Sequence, residues 1–184
     1  MVPETSPVVV AVCVSASHTF SKEPAAGVEL VAGHGVLGDA HAGPTVKHRS
    51  RVKRDPTQAN LRQVHLIHRE FLDLAREHGY DVAPGGLGEN VTTSGVDLLA
   101  LPRDTRLRLG ADAVVRVTGL RSPCSQIDDF RAGLLRLAVG RDEAGEIVRR
   151  TGVMAVVEAG GVVRPGDPIA VTLPDGPHLR LEPV

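Results

Sequence analysis

The sequence predicts a mainly β fold, a barrel or a sandwich, with a few short helices. Apolar runs of strand length recur along the chain, beginning with Val8–Val14, and such runs bounded by turn residues are typical of β-strands. Twenty glycines and thirteen prolines provide turns between the runs. Two segments, 69–78 and 129–138, are the helix candidates. Many short strands with few helices indicate a barrel or a sandwich.

The strand candidates are denser in the second half of the chain. Besides 8–14 they are 60–68, 91–93, 106–109, 113–118, 146–150, 152–158 and 169–173. A turn at Arg150-Thr151-Gly152 predicts that 146–150 and 152–158 pair with each other. The first helix candidate places Phe71, Leu72 and Ala75 on one face and ends before Gly79.

Length and composition predict one domain with an aliphatic core. The chain has 184 residues, enough for a full core in a single domain. No internal repeat divides it, so residues 1–184 are taken as one domain, with a core from about 7 to 173 and a frayed tail over 174–184. One Tyr, three Phe and no Trp leave Val, Leu, Ile and Ala to fill the core.

Charge and hydropathy disfavour several classes of partner. The net charge of −1 gives no excess that would favour nucleic acid or a membrane surface, and the scarce aromatic residues disfavour stacking on single strands. No apolar run approaches the roughly 18 residues of a membrane span, and no basic region precedes the first apolar run. Two cysteines in separate contexts make no disulfide framework, so we expect a cytoplasmic protein.

Cys124 is the most informative candidate residue. It lies in Gly119-Leu120-Arg121-Ser122-Pro123-Cys124-Ser125, between the end of one predicted strand and the start of a predicted helix. Helix N-terminal amides and the nearby Arg121 would favour the thiolate, which is the nucleophilic and metal-binding form of cysteine. A small, partly buried cysteine without chemistry is the alternative. Cys13, inside an apolar strand, is expected to be inert core.

The histidines offer no zinc motif. His34, His41 and His48 are spaced by seven residues, which matches neither a zinc knuckle nor a helical metalloprotease site. His65 lies in the strand candidate 60–68, where alternation would put it on the opposite face from Arg62 unless the strand bulges. Structural hydrogen bonding and a role in a site both stay open for His65.

Two segments could contact an anion. Gly85-Gly86-Leu87-Gly88-Glu89-Asn90 could cradle one through backbone amides, but it lacks the Lys-Ser/Thr of a P-loop, and a tight turn is the alternative. Residues 47–54 carry five Lys or Arg plus His48. These side chains could form a solvated surface or contact phosphate oxygens, which suit guanidinium and ammonium groups.

Six segments, each weak alone, together resemble the MOSC domain family, which is named for the C-terminal domain of molybdenum cofactor sulfurase. They are Ser17-His-Thr-Phe-Ser-Lys22, Gly35-Val-Leu-Gly-Asp-Ala-His-Ala-Gly43, Arg62-Gln-Val-His-Leu-Ile67, Gly88-Glu-Asn-Val-Thr92, Thr118-Gly-Leu-Arg-Ser-Pro-Cys124 and Arg164-Pro-Gly-Asp167. They follow the family's order over roughly residues 7–173. The similarity is to the small, single-domain bacterial members.

The resemblance implies a β-barrel-like fold that binds the molybdenum cofactor, a pterin dithiolene with a terminal phosphate (molybdopterin). Cys124 matches the family's cysteine, which implies a ligand to molybdenum or an acceptor of sulfur, and a soft thiolate suits that metal. Other positions are then candidate cofactor contacts, some of them cationic and some polar. They are Ser21, Lys22, Arg62, Asn90, Thr92, Arg121 and Ser122.

The activity implied first is the reduction of small N-hydroxylated substrates such as hydroxylaminopurines, amidoximes or hydroxamates. Cys124 would anchor the metal, and His65 or Asp128 would deliver protons. Two cysteines cannot hold an iron–sulfur cluster, so electrons would come from a separate donor protein. The alternatives are a sulfur carrier with a Cys124 persulfide loaded by a cysteine desulfurase, or a module that stores or inserts the cofactor. A homodimer is also compatible with the resemblance.

Overall fold

The computed structural model describes residues 6–47 and 49–184, apart from the side chains of Arg49 and Ser50. Within these ranges the chain forms mainly strands, with four short α-helices and a 3₁₀ turn at Leu98–Ala100. The strands are β1 (Val8–Val14), β2 (Glu23–Ala25), β3 (Val28–Val31), β4 (Gly35–Val36), β5 (Val64–His68), β6 (Val91–Ser94), β7 (Arg106–Leu109), β8 (Ala113–Leu120), β9 (Val139–Arg141), β10 (Ile147–Arg149), β11 (Val153–Ala159), β12 (Gly161–Val163) and β13 (Ile169–Thr172). The helices are α1 (Arg49–Arg54), α2 (Arg69–Glu77), α3 (Gln126–Phe130) and α4 (Leu134–Ala138).

The main sheet has eight strands in the order β13-β7-β8-β11-β5-β6-β1-β2. Neighbouring strands are antiparallel except β5 and β6, which run parallel through α2. A three-stranded sheet, β12-β3-β4, and the hairpin β9–β10 complete the strands of the described ranges. The mainly β prediction with a few short helices is therefore confirmed.

The expected barrel is not closed. In the described part of the chain the strands form open sheets, so the barrel prediction needs correction. Val8 in β1 and Pro168 beside the edge strand β13 make one isolated bridge, which connects β13 to the strand next to the opposite edge without a ladder. Pro7 and Pro168 lack the N–H groups that a continuous ladder would need at this junction.

The pairing expected across the turn at 150–152 is wrong. β10 pairs with β9, whereas β11 lies in the centre of the main sheet between β8 and β5. The alternation of β11 is interrupted by apolar residues on both faces, and such a run is typical of a strand buried in the interior of a sheet. The apolar surface that β11 buries on both faces outweighs the local turn signal at 150–152.

The first helix prediction is confirmed by α2, whose buried residues are Phe71, Leu72 and Ala75. The second is correct only in part, because the segment 129–138 divides into α3 and α4 around Arg131–Gly133. Gly133 has φ +90°, a left-handed conformation that ends a helix and is easily adopted by glycine.

The core is aliphatic, as the composition indicates, and has two clusters. The larger is formed by Val, Leu, Ile and Ala on the strands, including Leu66, Val91 and Val115. The smaller joins α2, α3 and α4 around Phe71 and Leu87. The site described next lies beside these clusters, in loops that the packed strands hold in place.

The tail is held rather than frayed. Leu181 is buried, and the amide of Leu120 at the end of β8 donates to the carbonyl of Glu182 at 2.8 Å. Val184 in turn donates to the carbonyl of Leu120. Composition alone could not show this, because the tail residues bond to a strand more than fifty positions away.

In the described ranges, no helix has the length and apolar character needed to cross a bilayer.

Candidate functional site

A cavity of about 600 Å³ opens where four loop segments meet beside the main sheet. The segments are 18–22, 41–62, 87–90 and 121–126, with Met154 of β11 also on the lining. Most of the polar residues singled out from the sequence reach this cavity. Those lining it are Lys22, Arg62, His65, Asn90, Arg121, Ser122 and Cys124.

Cys124 lies where the sequence predicts it, in the loop between β8 and α3. Its thiol is exposed and free, and Sγ lies 3.5 Å from Oε1 of Gln126, to which it can donate. The long, buried strand β8 ends at Leu120, so the loop is anchored at its base and projects Arg121, Ser122 and Cys124 into the cavity. The thiol is therefore accessible to a ligand in the cavity.

Arg121 is a buried cation that forms no salt bridge with any described residue. Its exposed fraction is 7 %, and within the described residues Nη1 has no hydrogen-bond acceptor. Burial lowers the pKa of the guanidinium, while the Cys124 sulfur and Glu89 act in the opposite direction, and an arginine stays protonated regardless. A buried, charged donor without a partner is costly, so this group points to an anionic ligand.

Arg62 and His65 reach the same cavity because Arg62 is not in a strand. The strand begins only at Val64, shorter than the predicted 60–68, and Arg62 lies in the bend before it. The alternation argument therefore does not apply to this pair. Burial lowers the pKa of Arg62 to about 10, and the positive charges of Arg51 and Arg121 act in the same direction.

Lys22 is also buried, but it has a carboxylate partner. Its Nζ lies 2.6 Å from Oδ2 of Asp39, and the two side chains are 4 % and 2 % exposed. Burial raises the pKa of Asp39, but hydrogen bonds from His41 and the charge of Lys22 outweigh it and hold that pKa well below its ordinary value. Asp39 is therefore ionised. Burial lowers the pKa of Lys22, which the carboxylate opposes.

Asp39 has no role in the sequence prediction, although it lies in a segment that carries the family resemblance. One signal could have identified Asp39 from the sequence. A buried lysine needs a carboxylate partner, and Asp39 lies in a glycine-rich turn that can bring it back to Lys22. Sequence separation of seventeen residues hides the pair.

Asn90 lines the cavity, but its amide is used inside the protein. Nδ2 donates to the carbonyl of Cys13 at 3.2 Å and to Asp39 Oδ2 at 3.0 Å, and Oδ1 accepts from the His65 amide. This side chain ties β1, β5 and the Asp39 turn together. Asn90 therefore positions the groups that it bonds to, and its amide is not free for the predicted contact with a cofactor.

Thr92 and Ser21 lie off the cavity. Thr92 is fully buried in β6, and its hydroxyl lies 3.4 Å from Glu89 Oε1, to which it donates. The Ser21 hydroxyl donates to the carbonyl of Gly86 at 2.9 Å and borders a smaller neighbouring hollow. The expectation that these two residues contact a cofactor is corrected by their placement.

The glycine loop 85–88 does not cradle an external anion. Oε1 of the buried Glu89 accepts from the Gly85 amide at 2.7 Å, and Oε2 accepts from the Leu87 amide at 3.1 Å. The amides of Gly86 and Gly88 donate to backbone carbonyls. Burial raises the pKa of Glu89, and these hydrogen bonds oppose the rise. The loop is a tight turn around an internal carboxylate.

The two expected proton donors are not placed for that role. His65 is buried, and this burial, with the charge of Arg121, lowers its pKa to about 3, so the ring is neutral. Its Nε2–H donates to the carbonyl of Thr151 at 2.7 Å. Asp128 does not line the cavity; its carboxylate accepts from the Leu135 amide at 2.8 Å and joins α3 to α4.

The basic segment 47–54 contains the short helix α1. Lys47, Arg51 and Lys53 line the cavity and add to its positive charge, so the phosphate-contact interpretation is favoured over a purely solvated surface. His48 lies outside the described residues. In the ranges that are described, no three His, Cys, Asp or Glu side chains come together as a metal site.

Comparison with known proteins identifies a family and a fold. The model of the MOSC domain family matches residues 41–170. The crystal structure of the YuaD protein of Bacillus subtilis superposes with a TM-score of 0.74 at 23 % identity, covering 91 % of this chain and 96 % of that one. YiiM from Geobacillus stearothermophilus gives 0.63 at 18 % identity, covering 95 % and 79 %. YiiM from Escherichia coli gives 0.60 at 21 %, covering 94 % and 73 %.

At these identities the similarity shows that the fold is shared, and it carries no argument about the reaction. No curated protein sequence is significantly similar to the chain.

Proposed function

The chain belongs to the MOSC domain family, and we propose that its cavity binds the molybdenum cofactor in an enzyme that reduces N-hydroxylated substrates. Cys124 is the protein ligand to the metal in this proposal. One observation carries it: an exposed thiol shares a cavity with Arg121, whose buried Nη1 has no acceptor among the described residues.

The charges of the cavity fit an anionic cofactor. Lys22 is neutralised by Asp39, whereas Arg62 and Arg121 are more than half buried and have no carboxylate within salt-bridge distance in the described part of the chain. A terminal phosphate offers several acceptor oxygens, and guanidinium groups bind phosphate through paired hydrogen bonds. The two arginines are the groups we expect to hold it, with Lys47, Arg51 and Lys53 adding attraction.

The thiol fits the metal. A thiolate is a soft ligand, suited to molybdenum that is already bound by dithiolene sulfurs. When bound, the cofactor would supply two-electron chemistry at an oxygen atom. Cys124 would hold the metal, and the cationic Arg121 lines the same cavity. Electrons would come from a separate donor protein, because two cysteines cannot bind an iron–sulfur cluster.

Sulfur transfer is the second candidate, and the exposure of Cys124 favours it as well. An accessible free thiol can carry a persulfide from a cysteine desulfurase without any metal. The two functions differ in what the purified protein contains. A reductase holds molybdenum and pterin, and a sulfur carrier holds an extra sulfur on Cys124.

The experiment is elemental analysis for molybdenum together with pterin fluorescence, on protein from a host that makes the cofactor. Wild type, Cys124→Ala and the matched control Cys13→Ala are compared. We expect near-stoichiometric molybdenum in wild type and in Cys13→Ala, and its loss or lability in Cys124→Ala. Absence of molybdenum and pterin from wild type contradicts the proposal, and a Cys124 persulfide detected by mass spectrometry would then establish sulfur transfer.

A further inference from the structure

A carboxylate orients one histidine on the wall of the cavity. Oδ1 of Asp39 accepts from the backbone amide of His41 at 2.9 Å and lies 3.3 Å from Nδ1 of its ring. Because Asp39 is ionised and can only accept, Nδ1 must carry a hydrogen. The other ring nitrogen, Nε2, is then the atom that can hold or release a proton. The His41 side chain is 31 % exposed and lines the cavity.

The other described histidines on the cavity are committed elsewhere. His18 donates from Nε2 to the carbonyl of Lys47, 3.3 Å away, and its ring packs edgewise on His41 with centroids 5.0 Å apart. His65 is neutral and donates from Nε2 to Thr151. Among the described histidines that line the cavity, His41 is therefore the one that has a carboxylate partner for one ring nitrogen and no hydrogen-bond partner among the described residues for the other.

We propose that His41, positioned by Asp39, is the proton donor to the leaving oxygen of the substrate in this cavity. The inference rests on the proposed reductase function and deepens it. The carboxylate fixes the orientation of the ring, as carboxylate–histidine pairs do in other enzymes. Asp39 is thus a positioning residue that also neutralises Lys22.

The overall reaction is R–NHOH + 2 e⁻ + 2 H⁺ → R–NH₂ + H₂O. The N–O bond breaks, nitrogen is reduced and oxygen leaves as water. The two electrons come from a separate donor protein, in two one-electron transfers, or from an artificial donor. His41 Nε2 gives one proton to that oxygen, and solvent gives the second to nitrogen and later returns a proton to His41. The role therefore requires the protonated ring.

The groups around His41 carry charges of both signs. The Asp39 carboxylate and the His18 ring contact it, and the ammonium groups of Lys22 and Lys47 line the same cavity. More distant cations line this cavity from α1; they are Arg51 and Lys53. Because the proposed donor must carry a proton on Nε2, we expect kcat to fall at alkaline pH.

The test compares wild type with His41→Gln, Asp39→Asn and the control His34→Gln. His34 lies in the same glycine-rich segment as His41 but does not line the cavity. Each variant is assayed with an amidoxime and an artificial electron donor across pH, and its molybdenum content and urea midpoint are measured. Independently of cofactor, two-bond ¹H–¹⁵N spectra of the full chain report which ring nitrogen of His41 carries the hydrogen.

We expect His41→Gln to keep its molybdenum and fold but to lose about 100-fold or more in kcat, together with the alkaline fall of the wild-type profile. His34→Gln should match wild type. The spectra should show hydrogen on Nδ1 of neutral His41. Asp39→Asn should shift this tautomer and lower kcat, and its urea midpoint separates this effect from the stability lost when Lys22 has no carboxylate partner.

Three results would overturn the inference. If wild type reduces the substrate and His41→Gln is equally active with the same pH profile, His41 is not the donor. If His41→Gln loses molybdenum in proportion to activity, His41 binds cofactor instead. If the spectra place the hydrogen on Nε2, the positioning by Asp39 is wrong. A wild type that holds no molybdenum and reduces nothing refutes the proposed function itself, whatever the spectra show.

Discussion

Two walls of the cavity treat buried positive charge in opposite ways. The ion-paired wall consists of Lys22, Asp39 and Asn90, where each charged or polar group finds its partner inside the protein. The unpaired wall consists of Arg62, Arg121 and Cys124. There, no described carboxylate lies within salt-bridge distance of either guanidinium.

The difference separates stability from function. A buried ion costs several kcal/mol of folding free energy unless a partner offsets the loss of hydration. The stability of the fold therefore depends on both members of the Lys22–Asp39 pair. In the unpaired wall the cost of burying the arginines is not offset inside the described part of the protein. Such an arrangement is expected where an external anion provides the missing partner. We therefore expect the positive charge to stabilise the fold on the ion-paired wall and to bind an anion on the unpaired wall.

The largest effect should come from breaking the ion-paired wall. Asp39→Ala leaves the Lys22 ammonium buried without its carboxylate, and we expect a loss of about 3–5 kcal/mol in the free energy of unfolding. Urea denaturation measures it. The double variant Lys22→Met/Asp39→Leu removes both charges and should regain much of the loss. A single variant within about 1 kcal/mol of wild type would contradict the assignment.

His65, between the two walls, should make stability depend on pH. Its pKa is 6.5 when unfolded and about 3 when folded, so the unfolded chain binds the extra proton between these values. Stability is fully present above pH 6.5 and is lost as pH falls, by up to about 1.4 kcal/mol per unit.

Urea midpoints from pH 7 to 4 test this dependence. His65→Gln keeps an N–H for Thr151 but does not titrate, so its slope should be smaller than that of wild type over this range. His178→Gln, on an exposed side chain, should keep the wild-type slope. Equal slopes in wild type and His65→Gln would show that His65 is not held neutral.

Removing a cation from the unpaired wall should affect binding more than folding. Arg121→Met takes away a buried charge without a described partner, so without added anion the free energy of unfolding measured in urea should be at least as large as that of wild type. Stabilisation by inorganic phosphate should weaken about 10- to 100-fold in apparent Kd, as expected for charge-assisted hydrogen bonds. Arg180→Gln, exposed in the tail, is the control. Unchanged phosphate stabilisation would contradict the binding role.

The two cysteines mark the two walls and should react differently. Cys13 lies behind the ion-paired wall, where burial raises the pKa of its thiol to about 12, so at pH 8 about one molecule in ten thousand carries the thiolate. Iodoacetamide should modify the exposed Cys124 and leave Cys13 intact, as intact-mass spectrometry will show. Cys13→Ala should cost about 1 kcal/mol in stability and leave activity unchanged. Equal labelling of both thiols would refute the distinction.

The fold was predictable where the signal is local. The long apolar runs of β1 and β8, the amphipathic α2 and the loop position of Cys124 all follow from neighbouring residues, and the structure has them there. Pairing was not predictable in the same way. β11 joins strands that are distant in sequence, because burying both its faces outweighs a nearby turn.

The candidate site was predictable in its residue types but not in its partnerships. Lys22, Arg62, Arg121 and Cys124 do converge, yet no spacing shows that Asp39 neutralises one of these cations and leaves the others unpaired. The glycine loop illustrates the same limit, because two of its amides donate to Glu89, whose burial depends on the tertiary structure, and the amides of Gly86 and Gly88 donate to backbone carbonyls.

By itself, the sequence determined the mainly β class, the family motifs and the thiol at the end of a strand, since these depend on composition, periodicity and order along the chain. Only the tertiary structure decided which charges are paired, that the sheets stay open, that the tail is held, and that His41 rather than His65 carries an available ring nitrogen. The physical reason is that charge pairing and burial depend on distances between segments far apart in sequence, whereas strand and motif signals are contained within a few consecutive residues.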